Sequence, residues 1–194
     1  MIRRLPFRIL AAGLLLVAVL IGLVIHEDRA RAAGTEAILA MEALDPRDLL
    51  TGHYVALRLT QRLEPGAACP ERTQPFSDGA WVALKAGDGH HRFVGSAATR
   101  QAALALGGDL AVRGGVSCAR VAAGAGEDNA VTLDLDVDRF HADQREAERI
   151  DALLRDRRLG GPPTAFAVIS VGQDGRARLK GVILDGKRTD LTWW

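Results

Sequence analysis

Ala165-Phe166-Ala167-Val168-Ile169-Ser170-Val171, Gly172-Gln173-Asp174-Gly175 and Arg176-Ala177-Arg178-Leu179-Lys180-Gly181-Val182-Ile183-Leu184 follow one another near the end of the chain. The first piece is a short, β-branched apolar run and the second holds two glycines and an aspartate. The third returns as a mixed apolar strand, so the whole reads as an antiparallel hairpin. Asp185-Gly186 turns the chain again before a short aromatic end at Trp193-Trp194. A chain that closes on local hairpins needs no crossover helices, which points to an antiparallel sheet.

Upstream, the same period-two pattern recurs. Val131, Leu133, Leu135 and Val137 alternate with Thr132, Asp134, Asp136 and Asp138, the cleanest alternation in the sequence. Leu110, Val112, Gly114, Val116 and Cys118 alternate as a single strand. Residues 80–85 form a strand, Gly87-Asp88-Gly89 turns it, and residues 91–96 return. Val55, Leu57 and Leu59 share one face of a strand over 53–59, and a weaker strand covers 35–44. Residues 64–75, with Pro65, Gly66, Pro70 and Pro75, read as a loop. One covering helix is expected over 143–157. Asp143 is its N-cap with Glu146 three residues on, Ala147, Ile150 and Leu154 share a face, and Gly160-Gly161-Pro162-Pro163 ends it.

Before the strands, residues 9–25 are an unbroken uncharged apolar run which, counting Leu5 and Phe7, is just long enough to cross a ~30 Å hydrocarbon core as a helix. Arg3, Arg4 and Arg8 precede it and His26-Glu27-Asp28-Arg29 follows, so the positive-inside rule puts the N-terminus in the cytoplasm and the remainder outside. A cleaved signal peptide is the rival, because Ala30-Arg31-Ala32 has the small-x-small form of a cleavage site. The run is longer than an ordinary signal core, and charges separate it from that site, which favours an uncleaved anchor. The expected organisation is an anchor region, residues 1–33, and an extracytoplasmic β-rich domain, residues 34–194. The fold class is mainly β (α+β): one transmembrane helix, then a mostly antiparallel domain with one covering helix.

Twenty-five basic residues against 24 acidic ones leave no cationic excess to neutralise phosphates, so nucleic acid is not an expected partner. Cys69 and Cys118 form one disulfide or remain two separate buried thiols; without a Cys-x-x-Cys pair a redox site is not expected. His26, His53, His90, His91 and His141 show no zinc spacing, and solvated turn histidines are the default reading. Asp134, Asp136 and Asp138 fall on one face of a strand, where same-face side chains lie ~6.5–7 Å apart, too far to converge on one Ca²⁺ unaided. Ser77, Ser96, Ser117 and Ser170 lie outside any G-x-S-x-G turn, and Gly107-Gly108 and Gly114-Gly115 lack the P-loop lysine. No catalytic residue, metal or cofactor is implied, and the balance leans against an enzyme.

Asp45-Pro46-Arg47-Asp48-Leu49-Leu50-Thr51-Gly52-His53-Tyr54-Val55-Ala56-Leu57 is the most distinctive stretch. Pro46 fixes a turn and restricts Asp45 to extended backbone, while Gly52 permits a sharp entry to the next strand. This stretch resembles the signature of the bacterial GDYxxLxY family of membrane-anchored proteins. Gly52, Tyr54 and Leu57 match the motif; His53 stands where the family has Asp, and Leu59 where it has the final Tyr. Asp174-Gly175-Arg176-Ala177 and the run from Leu179 to Lys187 are also similar. The resemblance implies a single-pass protein of the bacterial cytoplasmic membrane that can accompany a multi-pass membrane protein; it implies no activity. A second likeness is to the catalytic strand of type I signal peptidases, with Pro46, Leu49-Leu50 and Gly52-His53 in the framework. Its nucleophile is missing, since no serine occurs from Met1 through Phe76.

Three functions compete. The first is an accessory or interaction protein of a membrane complex, touching the bilayer through residues 9–25 and a partner through Asp45, Arg47, Asp48, Gly52, His53 or Tyr54. The second is a degenerate or unusual hydrolase using His53 or nearby carboxylates. The third is a periplasmic sensor or small-ligand binder.

Overall fold

The computed structural model describes residues 5–43, 54–64, 66–70, 80–123, 126–137, 139–141 and 165–191. It opens with helix α1 (Leu5–Ala33), whose 29 residues extend about 43 Å. Ile9, Leu14, Leu15, Leu16, Leu20 and Leu23 along it are all exposed, so this apolar surface packs on nothing among the described residues. It is long and apolar enough to span a membrane.

The strands follow in chain order: β1 (Thr35–Ala43), β2 (Tyr54–Arg62), β3 (Trp81–Ala86), β4 (His91–Ala97), β5 (Leu110–Arg113), β6 (Gly115–Ala123), β7 (Gly126–Asp134), β8 (Arg139–His141), β9 (Ala165–Val171), β10 (Ala177–Leu184) and β11 (Lys187–Asp190), with a short helix α2 (Arg100–Leu104) after β4. The large sheet runs β11-β10-β9-β1-β2-β7-β6, with β8 also paired to β2; the small sheet runs β4-β3-β5. The pairs are antiparallel, as the hairpin pattern predicts.

Strand β9 lies inside the sheet and is buried on both faces, which its apolar sequence requires. In β10, Ala177 and Leu179 face inward before a register shift between Leu179 and Gly181; after it Val182 and Leu184 face inward. The alternation in the sequence breaks at the same point, so the bulge is written into the pattern. Asp185 (φ 50°) and Gly186 (φ 76°) both take left-handed backbone, the type I′ geometry suited to the twist of β10 and β11.

One core joins the two sheets. Ala37, Leu39 and Met41 of β1, Leu59 of β2, Val131 and Leu133 of β7 and Ile169 of β9 meet Val82, Leu84, Phe93, Leu110 and Val112 of the small sheet. Each such aliphatic side chain stabilises the fold by roughly 1.5–3 kcal/mol relative to exposure. The back of the small sheet is lined by Ala83 and Ala111, small enough for α2 to seat Ala103 directly on them. Thr99 caps α2, its hydroxyl accepting from Ala102 N–H at 3.2 Å, and Gly107 (φ 93°) ends it.

Two expectations need correction. The alternating run 110–118 is two strands, β5 and β6, lying in different sheets and separated by Gly114. A Cβ at Gly114 would strike the carbonyl of Asp134, so only glycine lets the chain cross there. The Asp-rich strand ends at Asp134: Asp136 has φ 58° and donates its N–H toward Asp134 Oδ1, so the carboxylates do not form one strand face. The helix expected over 143–157 lies outside the described residues, as does Trp193-Trp194.

Candidate functional site at the helix–sheet junction

The last turns of α1 do not swing free. Register pairs Glu36 of β1 with Ser170 of β9, and Ser170 with Arg178 of β10, so these three share the face opposite Ala37 and Ile169. Arg178 projects to α1, where its guanidinium donates to Glu27, and it also holds Asp174 at 3.0 Å. Within α1, Arg31 reaches Asp28 at 3.3 Å and is itself buried, which presses the polar end of the helix against the protein. At Gly34 the chain leaves the helix so close to β9 that a Cβ would strike Ser170 Oγ and lie 2.9 Å from the Val171 carbonyl. Glycine is the residue that allows this approach.

Beside this clamp lies a second cluster. Glu36 receives Lys180 and, at 3.1 Å, Arg188; Arg188 also donates to Asp190 at 2.7 Å. Hydrogen bonds from Arg188 first, and from Lys180, hold the Glu36 carboxyl at about 2, well below the carboxylate range. Arg178 likewise draws Asp174 down, and Asp174 and then Glu27 raise Arg178. Beneath the network Ser170 is fully buried and its Oγ has no hydrogen-bond partner among the described residues. An unmade bond of this kind costs about 1–3 kcal/mol, a local concession to the closeness of Gly34. Chemically the cluster is a mechanical joint: charges of both signs are matched, and they tie α1, β1, β10 and β11 together.

Of the residues singled out in the sequence, Asp45, Arg47, Asp48, Gly52 and His53 lie outside the described residues. Tyr54 is the first residue of β2, opposite His141 of β8. The strand half of the signature thus enters the large sheet between β1 and β8. Cys69 and Cys118 are joined, with Cα atoms 5.8 Å apart, fastening the segment after β2 to β6. Asn129 of β7 supports that segment by donating its side-chain N–H to Ala67 O at 2.8 Å.

The turn histidines are not simply solvated. His91 lies in β4, and its Nδ1 accepts the Ile38 N–H at 3.2 Å. His90 stacks at a tilt on Phe166, with ring centroids 5.4 Å apart, and this burial, with the charges of Arg92 and His91, lowers its pKa. Among the described residues no group of three His, Cys, Asp or Glu could hold a metal ion.

Sequence reasoning missed the junction itself. Glu27 and Glu36 come from one stretch of the chain and Asp174, Arg178 and Arg188 from another about 150 residues on, and only the meeting of the two stretches makes them a unit. The one local hint was the alternation of Arg176, Arg178 and Lys180 along the return strand.

A protein-family profile described as GDYXXLXY protein matches residues 16–182. No curated protein and no solved structure matches the chain.

Proposed function

The chain belongs to the GDYXXLXY protein family, and from that premise we propose that it is a single-pass protein of the bacterial cytoplasmic membrane, serving a membrane complex as an accessory or interaction subunit. In this reading residues 1–33 hold the anchor and residues 34–194 form the extracytoplasmic β-rich domain. The observation that carries it is the continuity of α1: an apolar helix with no packing partner among the described residues runs without a break into a joint that grips the sheet through Glu27 and Arg178. A detachable leader has no need of such a joint.

Charge supports the orientation. Arg3, Arg4 and Arg8 precede the span, and residues 26–29 after it are nearly balanced. The bridge between Cys69 and Cys118 supports an oxidising compartment for the β-rich part. The signature stretch 45–54, whose last residue Tyr54 opens β2, is where a multi-pass partner would be engaged.

Fusions of a periplasm-active phosphatase and a cytoplasm-only fluorescent protein after Leu191 test the topology. The phosphatase fusion is expected to be active and the fluorescent one dark; the reverse result ends the reading. Affinity purification of the tagged full chain from solubilised membranes is expected to bring down a stoichiometric membrane protein. Recovery of the chain alone, after in-cell cross-linking, would count against an accessory role.

A further inference from the structure

A titratable side chain helps to fasten the small sheet to the large one. Strands β1 and β2 pair over 41–43 and 57–59, and from there back to Thr35 the ladder partner of β1 is β9. Beyond Leu59, β2 keeps β7 as its ladder partner. The edge of β4 comes in where the β1–β2 pairing stops. His91 Nδ1 accepts the Ile38 N–H at 3.2 Å, and Gln61 Oε1 accepts the Phe93 N–H at 2.6 Å. Among the described residues β4 shares no backbone hydrogen bond with β1 or β2. Two side chains thus supply acceptors that a neighbouring strand supplies elsewhere in the sheet.

The two acceptors differ in kind. Gln61 accepts at any pH, whereas His91 accepts only as the neutral ring with its proton on Nε2. A proton on Nδ1 makes it a second donor facing the Ile38 N–H, and the bond cannot survive. His91 is only half-buried, so solvent can deliver that proton. It makes no ion pair among the described residues. Its own hairpin brings Lys85, Asp88, His90 and Arg92, with Asp88 exposed in the turn. Of the described side chains on the other elements around it, β1 brings Glu36, β2 brings Arg58 and Arg62, α2 brings Arg100, and β9 brings none. Glu36 is committed to Lys180 and Arg188. Asp109 accepts the Ala86 N–H at 3.0 Å, next to β5 on the far edge of β3. Cations therefore dominate the surroundings of His91, and they oppose a further positive charge. His90, stacked on Phe166, has its pKa lowered by burial first and then by the charges of Arg92 and His91, so a proton on His91 also weighs on the ring next to it.

We propose that His91 is a proton-controlled latch: neutral, it closes the β3–β4 hairpin onto β1, and protonated, it releases β4 and uncovers the Ile38 N–H. An ordinary imidazole titrates near ~6.5, so the latch is closed at and above neutrality and opens as pH falls through that range. Release is local, because the Gln61–Phe93 bond and the shared core still hold the two sheets together. The latch does not depend on the anchored reading above.

The test is native-state hydrogen exchange of the full chain in micelles, read at the Ile38 and Val131 amides and corrected for intrinsic rates. From about pH 7.5 to about pH 5, protection at Ile38 is expected to fall about fivefold to tenfold, the worth of one hydrogen bond. Val131, on β7 between β2 and β6, should change by less than about twofold. His91→Asn keeps an acceptor that does not titrate, and should hold Ile38 protection steady over the same range. His90→Gln should leave the loss in place. Ile38 protection indifferent to pH overturns the latch, as does a loss that persists in H91N or vanishes in H90Q. An equal loss at Val131 also overturns it, since acid is then loosening the whole domain. Nitrogen NMR of the wild-type ring needs no variant: at about pH 7.5 the proton is expected on Nε2, and a proton on Nδ1 refutes the contact.

Discussion

Removing the bridge between Cys69 and Cys118 gives a sharp quantitative test, because the enclosed loop spans 49 residues. In the chain-entropy account, cross-linking a loop of that length stabilises the folded state by about 4 kcal/mol, by restricting the unfolded chain. That is a large part of the 5–15 kcal/mol typical of a whole domain. The perturbation is Cys69→Ala with Cys118→Ala; alanine is chosen because Cys118 packs against the edge of the core, where a serine hydroxyl would add a desolvation cost of its own. The native contacts near the bridge survive the change: Asn129 still holds Ala67 O, and Leu63 N–H still donates to Asn129 O at 2.8 Å. Urea unfolding of the full chain in micelles, followed by tryptophan emission, should show the midpoint falling by about 2 M for a slope near 2 kcal/mol per M. The wild type under a reducing agent should fall by the same amount. A shift below about 0.5 M in both would refute the reasoning, because an unfolded chain freed of a 49-residue closure cannot gain so little entropy.

Three further outcomes follow from the joint and the turns. Glu36→Gln should destabilise at neutral pH by about 1 kcal/mol, the large carboxyl shift being discounted because the side chain is more than one-third exposed. Since the folded carboxyl sits at about 2 against a model value of 4.5, the wild-type advantage is complete above 4.5 and disappears as pH falls toward 2, which paired acid titrations of midpoint stability will show. Gly175→Ala should cost about 2–3 kcal/mol, since φ is +77° and the new Cβ would collide with the Trp81 ring, over which Arg113 stacks at 5.2 Å; a lower melting temperature with altered tryptophan emission is the expected pair of signals. Glu27→Gln should leave the global unfolding midpoint within about 0.5 kcal/mol of wild type. It should nevertheless speed limited proteolysis of residues 28–34, because only the local grip of Arg178 is lost.

Local chemistry was legible in the sequence. The apolar run of β9, the Gly172–Gly175 turn and the Asp185-Gly186 turn are each specified within a few residues, and the structure forms them there. What alternation does not carry is the identity of a strand's neighbour. Residues 110–118 alternate perfectly well as one strand, yet Gly114 hands the chain from the small sheet to the large one. The run past Asp134 fails for a related reason: Leu135 and Val137 are buried, as the pattern requires, but without ladder pairing. Helix α2 escaped because five residues give no period to detect; its signals were Thr99 before it and Gly107 after it. The joint was invisible because its carboxylates and cations come from two distant stretches, 27–36 and 174–190, and none of them is unusual alone.

The place of β1 has a bearing on how the protein comes to exist. Thr35, the second residue after α1, pairs with Val171, and Met41 on the same strand pairs with Leu59. Strand β1 is thus made well before β9, one of its two neighbours in the sheet. Until β9 emerges, one ladder edge of β1 stays open. Contacts of such long range are slow to form and leave unpaired strand vulnerable. A chain halted before residue 165 would hold β1 against β2 alone, with the edge meant for β9 left open.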